Sequence, residues 1–468
     1  MPRLASLSPV LALLVLALVP ATAAAQTTWH VDANYAGCPG SGSASDPFCT
    51  IGAALSAASP GDTIQVAAGH YAENLQITTD DLRLVGAGAD VTTISGPANV
   101  AVVWSAANLP SGSIEGFRIT STGNPESTIG ISADQQTAVD PHWRISRCLV
   151  EGVALGIRLS DSYDAGAQLL VEDTVVTNCG TGFSVVGLGS VIRRCTITEI
   201  DSVGVFGSFP NTRFVVSDSI IAGTGWWAVQ RYWGSGIGIT IERVLVHNNN
   251  QENPEACVGC GPFVMYLAEG FPGGFGVYSD FTPMPGPALF EDPLFVDAGA
   301  SDVRLTAGSP AIDIGDPAAV PAAGAYDALG FGHPRVDDGD FDGAARLDLG
   351  AIEFGGLLTN AGLDGTLGVG QAFALTQSGK PGALYAVFVG LPGPALDLGP
   401  KGTLFLLPSP LLWLTTGVLP AGGTATVLAG LAPPAAAGFD VRFQAAQKGP
   451  GGSDGLHWTN LERLAIVP

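Results

Sequence analysis

Apolar and polar positions recur along this chain in one six-residue phrase, repeated six times. The segments IEGFRI, ISRCLV, VEDTVV, IRRCTI, VSDSII and IERVLV begin at Ile114, Ile145, Val171, Ile192, Val216 and Ile241, with starts 31, 26, 21, 24 and 25 residues apart. Each opens and closes on an apolar residue. Two polar or small residues, a mostly small one and a variable one lie between. A strand that returns at such a period predicts a solenoid, in which each coil stacks on the one before. The first and last positions are expected to face inward. The fourth, occupied by Phe117, Cys148, Thr174, Cys195, Ser219 and Val244, is expected to stack at an inner corner. Glycines after the strands, at Gly156, Gly182, Gly204 and Gly225, suit a bend that needs positive φ.

The third position reads Arg147, Asp173, Arg194, Asp218, Arg243. Coils in register, about 4.8 Å apart, set these alternating charges in a file along one edge. The expectation is a solvated ladder that helps select register, with a charged track for an anionic polymer as the functional counterpart. Cys148 and Cys195 share one position two coils apart, roughly 9.6 Å, beyond the reach of a disulfide.

Upstream, Ile51 to Ala58 predicts a short helix ended by Ser59-Pro60-Gly61, followed by a strand from Thr63 to Val66. Such a helix covers the open end of a solenoid, where unpaired backbone and apolar interior need a lid. The run from Trp29-His-Val-Asp32 through Pro47-Phe48 and Thr50-Ile51 to Gly61-Asp62-Thr-Ile64, Gly69-His-Tyr71 and Glu73-Asn74 resembles the cap and first coil of bacterial right-handed parallel β-helix proteins, the pectin-lyase-like fold. With the repeats, this resemblance spans roughly residues 28–250. It implies a fold that hosts lyases, hydrolases, epimerases and adhesins, and therefore no single activity.

Four regions follow from these patterns. Residues 1–25, with Arg3, the apolar run Val10 to Val19 and Ala23-Ala24-Ala25, read as a signal peptide, so the chain is expected to be exported, to the extracellular space or cell surface. Residues 26–293 form the capped β-helix, whose last part, 248–293, loses the repeat. Residues 294–356 read as terminal coils with an acidic tail and resemble a segment common in secreted bacterial β-helix proteins. Residues 357–468 carry little charge and have Gly/Pro turns between short apolar runs, which predicts a small antiparallel β-sandwich resembling C-terminal modules of exported bacterial proteins. Thr403 to Leu419 is apolar, but Pro408 and Pro410 break it, so no transmembrane segment is expected after cleavage of the signal peptide.

The formal charge of −23 disfavours nucleic acid as a partner and suits cation binding or solubility. Seven cysteines in an exported chain make Cys38 and Cys49, either side of a Gly/Ser-rich loop, the best disulfide pair. Cys257 and Cys260 favour a local disulfide over redox chemistry.

Candidate chemistry is sparse. Asp338, Asp340 and Asp342 follow the D-x-D-x-D-G half of a calcium loop; Leu349 stands where a bidentate Glu belongs, and Asp348 and Glu353 are nearby substitutes. Trp226, Trp227, Arg231, Tyr232 and Trp233 form an aromatic segment in which neighbours must alternate faces. It offers a stacking platform for a polysaccharide or surface glycan, or else packs beneath the 248–293 excursion. All three lysines lie beyond residue 357, so no solenoid lysine serves as a lyase base; the resemblance implies that an arginine can. Arg193 and Arg194 beside Glu172 and Asp173 make the one dense charged cluster. Asp161, Asp164, Asp201 and Asp218 are further carboxylates for hydrolysis, with no pair singled out. His70, His142 and His247 are isolated, and no nucleophile motif supports a Ser-His-Asp site. Binding without catalysis is the leading expectation, with a lyase or glycoside hydrolase as the alternative.

Overall fold

The six segments stack in register. In the computed structural model, Ile114 pairs with Ile145, Ile145 with Val171, Val171 with Ile192, Ile192 with Val216 and Val216 with Ile241, all in parallel. The structure describes residues 26–468 apart from 98–100, 106–110, 136–141, 162–167, 209–211, 233–238, 249–262, 268–288, 290, 320–324, 331, 336–345, 363, 399–402 and 450–455.

The coils build three parallel faces of a right-handed β-helix. The first face runs from Thr28–Val31 through Ser111–Glu115, His142–Ser146, Gln168–Glu172 and Ser190–Arg193. The second runs from Gly69–Tyr71 through Leu149–Glu151, Val175–Cys179 and Thr196–Ile200. The long strand Phe214–Thr224 bends from one to the other. The third face contains Ile129–Gln135, Leu155–Asp161, Thr181–Val186, Val203–Gly207 and Trp227–Tyr232, closed by an antiparallel strand, Phe263–Leu267.

Ile114, Ile145, Val171, Ile192, Val216 and Ile241 are buried, as are Ile119, Val150, Val176, Ile197, Ile221 and Val246 at the close of each segment. Burying each side chain contributes about 1.5–3 kcal/mol. A one-residue slip turns a whole file outward; the expected solvated ladder is instead largely covered, with Asp173 and Asp218 buried. Apolar burial therefore fixes the register, and the charged file follows it.

The corner between the first two faces explains the third position. Arg147, Asp173, Arg194, Asp218 and Arg243 all hold left-handed backbone, with φ between 49° and 51°, where a side chain costs roughly 1–2 kcal/mol. The fourth-position residues beside them are buried, and the Cys148 and Cys195 amides donate to Thr174 Oγ1 and Ser219 Oγ of the next coil. The glycines after the strands have another cause than the expected positive φ. Gly156, Gly182 and Gly204 are absent from the left-handed region. A Cβ on Gly156 would lie 2.7 Å from the Gly182 carbonyl oxygen, and one on Gly182 2.4 Å from that of Gly204. These positions need the absence of a side chain because successive coils approach closely.

Helix Ile51–Ala57 is capped by Thr50 Oγ1, which accepts from the Ala53 amide, and Glu73 takes the amides of Ile51 and Gly52. Ile51 and Ala54 join the interior cluster with Val31 and Ile64, so the helix covers the open first coil. Cys38 and Cys49 are disulfide-bonded in the preceding loop. Cys148, Cys179 and Cys195 are free and buried; Cys257 and Cys260 lie outside the described residues.

Residues 294–356 lie along the outside of the second face. Val303, Ala328, Leu329 and Ile352 pack on Leu149 and Val175. Leu305, Ala311, Leu349 and Phe354 pack on Ile220, Ala222 and Leu245. The backbone joins too: the Gly350 amide donates to the Asp218 carbonyl and the Ala351 amide to Thr196 Oγ1. This segment is a strap, and it also binds the C-terminal module through buried Arg304, which bonds Asp302 and Glu462.

That module is a β-sandwich. Leu357–Thr359, Ala372–Ser378 and Thr424–Leu431 form one sheet. The other has the order Thr366–Gly368, Leu456–Val467, Asp440–Lys448, Leu384–Asp397, Thr403–Val418, antiparallel except for its first pair. Leu375, Val387, Phe443 and Ala445 fill the space between. Among the described residues no helix is long and apolar enough to cross a membrane.

Candidate functional site

The second position of the repeat, one residue before the left-handed corner, points outward. Its file reads Glu115, Ser146, Glu172, Arg193 by strand register. Beside it runs the corner file with Arg147, Asp173 and Arg194. Arg144 stands two residues before Ser146 on the same outward side. The strap closes over these with Ala319, Ala325, Tyr326 and Arg335, leaving a cleft of about 370 Å³. Five guanidiniums and three carboxylates line it, a local cationic excess on a strongly acidic chain.

Glu172 is the hub. Its carboxylate is buried and receives Arg144, Arg193 Nε at 2.8 Å and Arg194 Nη2 at 2.6 Å. Burial acts to raise its pKa, but Arg194, Arg144 and Arg193 outweigh that and hold it below the ordinary glutamate range. Arg194 also forks onto Asp173, with Nε 2.7 Å from Oδ1 and Nη2 3.0 Å from Oδ2. Burial works against its charge, yet these bonds raise its pKa further. Arg147 Nη2 reaches back to Glu115 Oε2 at 3.1 Å.

Two guanidiniums remain open to solvent: the Arg144 side chain is 56% exposed and that of Arg193 41%. Their strands lie either side of the Glu172 coil, and the two guanidiniums converge on its carboxylate. The mouth of the cleft is therefore two exposed cations held on one buried anion. This arrangement can present bidentate donors to an anion without rearranging its floor.

The other sequence-derived candidates fall elsewhere. Trp227 is buried against Val203, and Trp226 is 57% exposed. The backbone of Arg231 and Tyr232 pairs with Phe263–Leu267, and Trp233 lies outside the described residues. This segment is on the third face, apart from the arginine cleft. Asp338, Asp340 and Asp342 lie outside the described residues. Asp348 is buried, and its oxygens accept the amides of Asp313 and Phe354. Among the described residues no cluster of three metal-ligating side chains occurs. His70 bonds Ser95, and His247 lies 3.9 Å from Asp292; neither reaches the cleft.

Arg144, Tyr326 and Arg335 had not been singled out in the sequence. Arg144 alternates with Ser146 and could have been found from strand periodicity. Tyr326 and Arg335 arrive from a strap with no repeat, and no local pattern points to them.

The architecture is a capped parallel β-helix carrying a strap and a β-sandwich. No family model matches the chain, and no curated protein matches it. Among solved structures it is similar to a pectin methylesterase from Erwinia chrysanthemi, at 11% identity over 47% of this chain and 78% of that one, with a TM-score of 0.28. It is also similar to a pectin methylesterase from carrot (14%, 47% and 73%, 0.31) and to pectate lyase Pel9A (13%, 70% and 96%, 0.38). The strand register, and not these scores, defines the fold.

Proposed function

We propose that this is an exported β-helix protein that binds a carboxylate-bearing carbohydrate in the arginine cleft, without cleaving it. The observation that carries this reading is the pair of exposed guanidiniums, Arg144 and Arg193, anchored on buried Glu172. Both meet on one carboxylate, so they form a single compact site suited to one acidic group of a sugar chain. The anchoring lowers the ordering cost that free arginines pay on binding.

Catalysis is disfavoured by the state of the carboxylates. Glycoside hydrolysis needs one carboxyl kept protonated opposite a second. Glu115, Glu172 and Asp173 are all ion-paired, and Glu172 is held low. Elimination needs a base, and its ion pairs with Asp173 and Glu172 favour the charged form of Arg194.

Calorimetric titration of the protein with a uronate oligosaccharide and with its neutral counterpart tests the reading. Binding of the uronate alone, weakened by salt and by Arg144→Ala or Arg193→Ala, is expected. Equal affinity for both sugars, or the appearance of new reducing ends or unsaturated products, overturns it.

A further inference from the structure

The arginine cleft has one aromatic wall. Among the described residues that line it, Tyr326 is the one aromatic side chain, and Ala319 and Ala325 beside it are small. A chain reversal in the strap sets its place. Tyr326 bridges Pro334 antiparallel, the Arg335 amide donates to the Ala325 carbonyl at 2.9 Å and the Asp327 amide to the His333 carbonyl at 3.0 Å. The β-sandwich anchors this reversal from outside. The Leu461 amide donates to the Gly332 carbonyl at 2.9 Å, and Tyr326 packs with Leu404, Phe405 and Leu461. The Tyr326 and Phe405 rings are tilted at 54° with centroids 6.3 Å apart, inside the range of a favourable aromatic pair. Phe405 is itself buried, and its amide donates to Gln444 Oε1 at 2.9 Å. Tyr326 is only half-buried, so ring surface remains for the cleft. Burial raises the pKa of its hydroxyl and the Arg147 charge acts against this, which sets the ring among the guanidiniums.

We propose that Tyr326 is the residue by which the cleft distinguishes a sugar acid in its ring form from an open-chain carboxylate, with Phe405 as the positioning residue that holds it. This rests on the carboxylate-binding reading of the cleft and adds what surrounds the carboxylate. Exposed Arg144 and Arg193 read only charge, because their donors fit any carboxylate. A pyranose uronate carries its carboxyl beside a face of C–H bonds. Those groups are apolar and slightly positive, and an aromatic face is negative, so the sugar ring packs on Tyr326 once its carboxylate sits on the guanidiniums. An open-chain acid of the same charge has no such face and loses more internal freedom on binding. The cleft, about 370 Å³, lies near the small end of ligand sites and suits one sugar residue against one ring. Arg144 and Arg193 belong to the β-helix and Phe405 to the β-sandwich, so the C-terminal module is part of the frame of the site.

Calorimetric titration of the full chain with methyl glucuronoside and with gluconate tests this, since each carries one carboxylate and only the first has a ring. The readout is the ratio of the two affinities, because general damage to the arginine site lowers both together. The wild type is expected to favour the glucuronoside by about tenfold or more. Tyr326→Phe keeps the aromatic face and is expected to keep the preference. Tyr326→Leu keeps apolar bulk against Phe405 but offers no such face, and is expected to bring the ratio close to one. Phe405→Leu lies behind the ring, away from the ligand, and is expected to lower the ratio with unchanged circular dichroism. If Tyr326→Leu does not fold, Phe405→Leu carries the test. Equal wild-type affinities overturn the proposal and leave the carboxylate reading standing. So does a preference that Tyr326→Leu retains, and an unchanged ratio in Phe405→Leu overturns the positioning role. Binding of neither ligand removes the carboxylate reading, and this proposal with it.

Discussion

Arg335 Nε stands 3.1 Å from Asp173 Oδ1, joining the strap to the left-handed corner of the β-helix. The same guanidinium places Nη1 3.0 Å from Glu353 Oε1 and donates from Nη2 to the Gly350 carbonyl, while its side chain is 1% exposed. A charge so enclosed is stable only because its partners are enclosed with it. Replacing Arg335 with Met leaves Asp173 and Glu353 buried with one cation fewer. We expect a loss of about 3–5 kcal/mol, read from the urea unfolding midpoint, with faster protease cleavage within 294–356. A loss below ~1 kcal/mol means that the strap is held by its apolar contacts alone.

The corner file gives a second prediction. Arg147 has φ 51° and makes a partly exposed ion pair with Glu115. Arg147→Gly exchanges that pair for relief of the backbone, so stability is expected within about 1 kcal/mol of wild type. Arg147→Val loses the pair and places a β-branched side chain in the same conformation. A further cost of about 1–2 kcal/mol is expected. Equal stabilities for the two variants in chemical denaturation reject the conformational account.

The β-helix was legible because its signal is local and repeated. The apolar first and last positions specify which side chains turn inward, and Ile145 or Val171 needs no distant partner to be read correctly. The charged file was also visible, but its backbone was not. Nothing in Arg-Asp-Arg-Asp-Arg announces a left-handed corner, since arginine does not favour that region, whereas the glycines that do favour it proved to be close-approach positions. The strap was missed for a related reason. The fifth, variable position holds Leu149, Val175, Ile220 and Leu245, apolar residues on a side expected to face solvent. They are buried beneath the strap. That excess of outward apolar residues was the available sign of a cover, and the residues supplying it lie 50 or more positions away with no repeat of their own. Half of the arginine cleft was thus visible as Arg193, Arg194, Glu172 and Asp173, and the half that encloses it was not.

The three free cysteines among the described residues should be chemically silent. Burial pushes the thiols of Cys148, Cys179 and Cys195 up to about 12, and the thiolate is the reactive form. Iodoacetamide applied to the native protein is expected to leave these three unmodified in peptide mass maps and to label them fully after unfolding in guanidinium. Native-state labelling of Cys148 or Cys195 means that the coils open locally, contrary to the continuous interior file they occupy.

The strap also carries a pH dependence of unusual sign. Asp327 is wholly buried, with Oδ1 accepting the Leu329 amide at 2.8 Å and Oδ2 the Glu353 amide at 2.9 Å. Burial outweighs these bonds and the Arg335 charge and pushes its pKa up to about 8. Glu353 is also raised, by burial first and then by the charge of Asp348. In the unfolded chain an aspartate titrates near ~4. Between that value and about 8 the folded protein holds a proton that the unfolded chain has released, so stability falls as pH rises. The contribution is complete below the unfolded pKa and gone once pH passes the folded one. Glu172 acts in the opposite sense, losing its contribution as pH drops below the ordinary glutamate range. The thermal midpoint is therefore expected to decline from mildly acidic to mildly alkaline pH. Asp327→Asn has no proton to lose there and should decline less steeply, whatever its absolute stability. A wild-type midpoint that rises over this interval, or an Asn variant with the same slope, rules out Asp327 as the source.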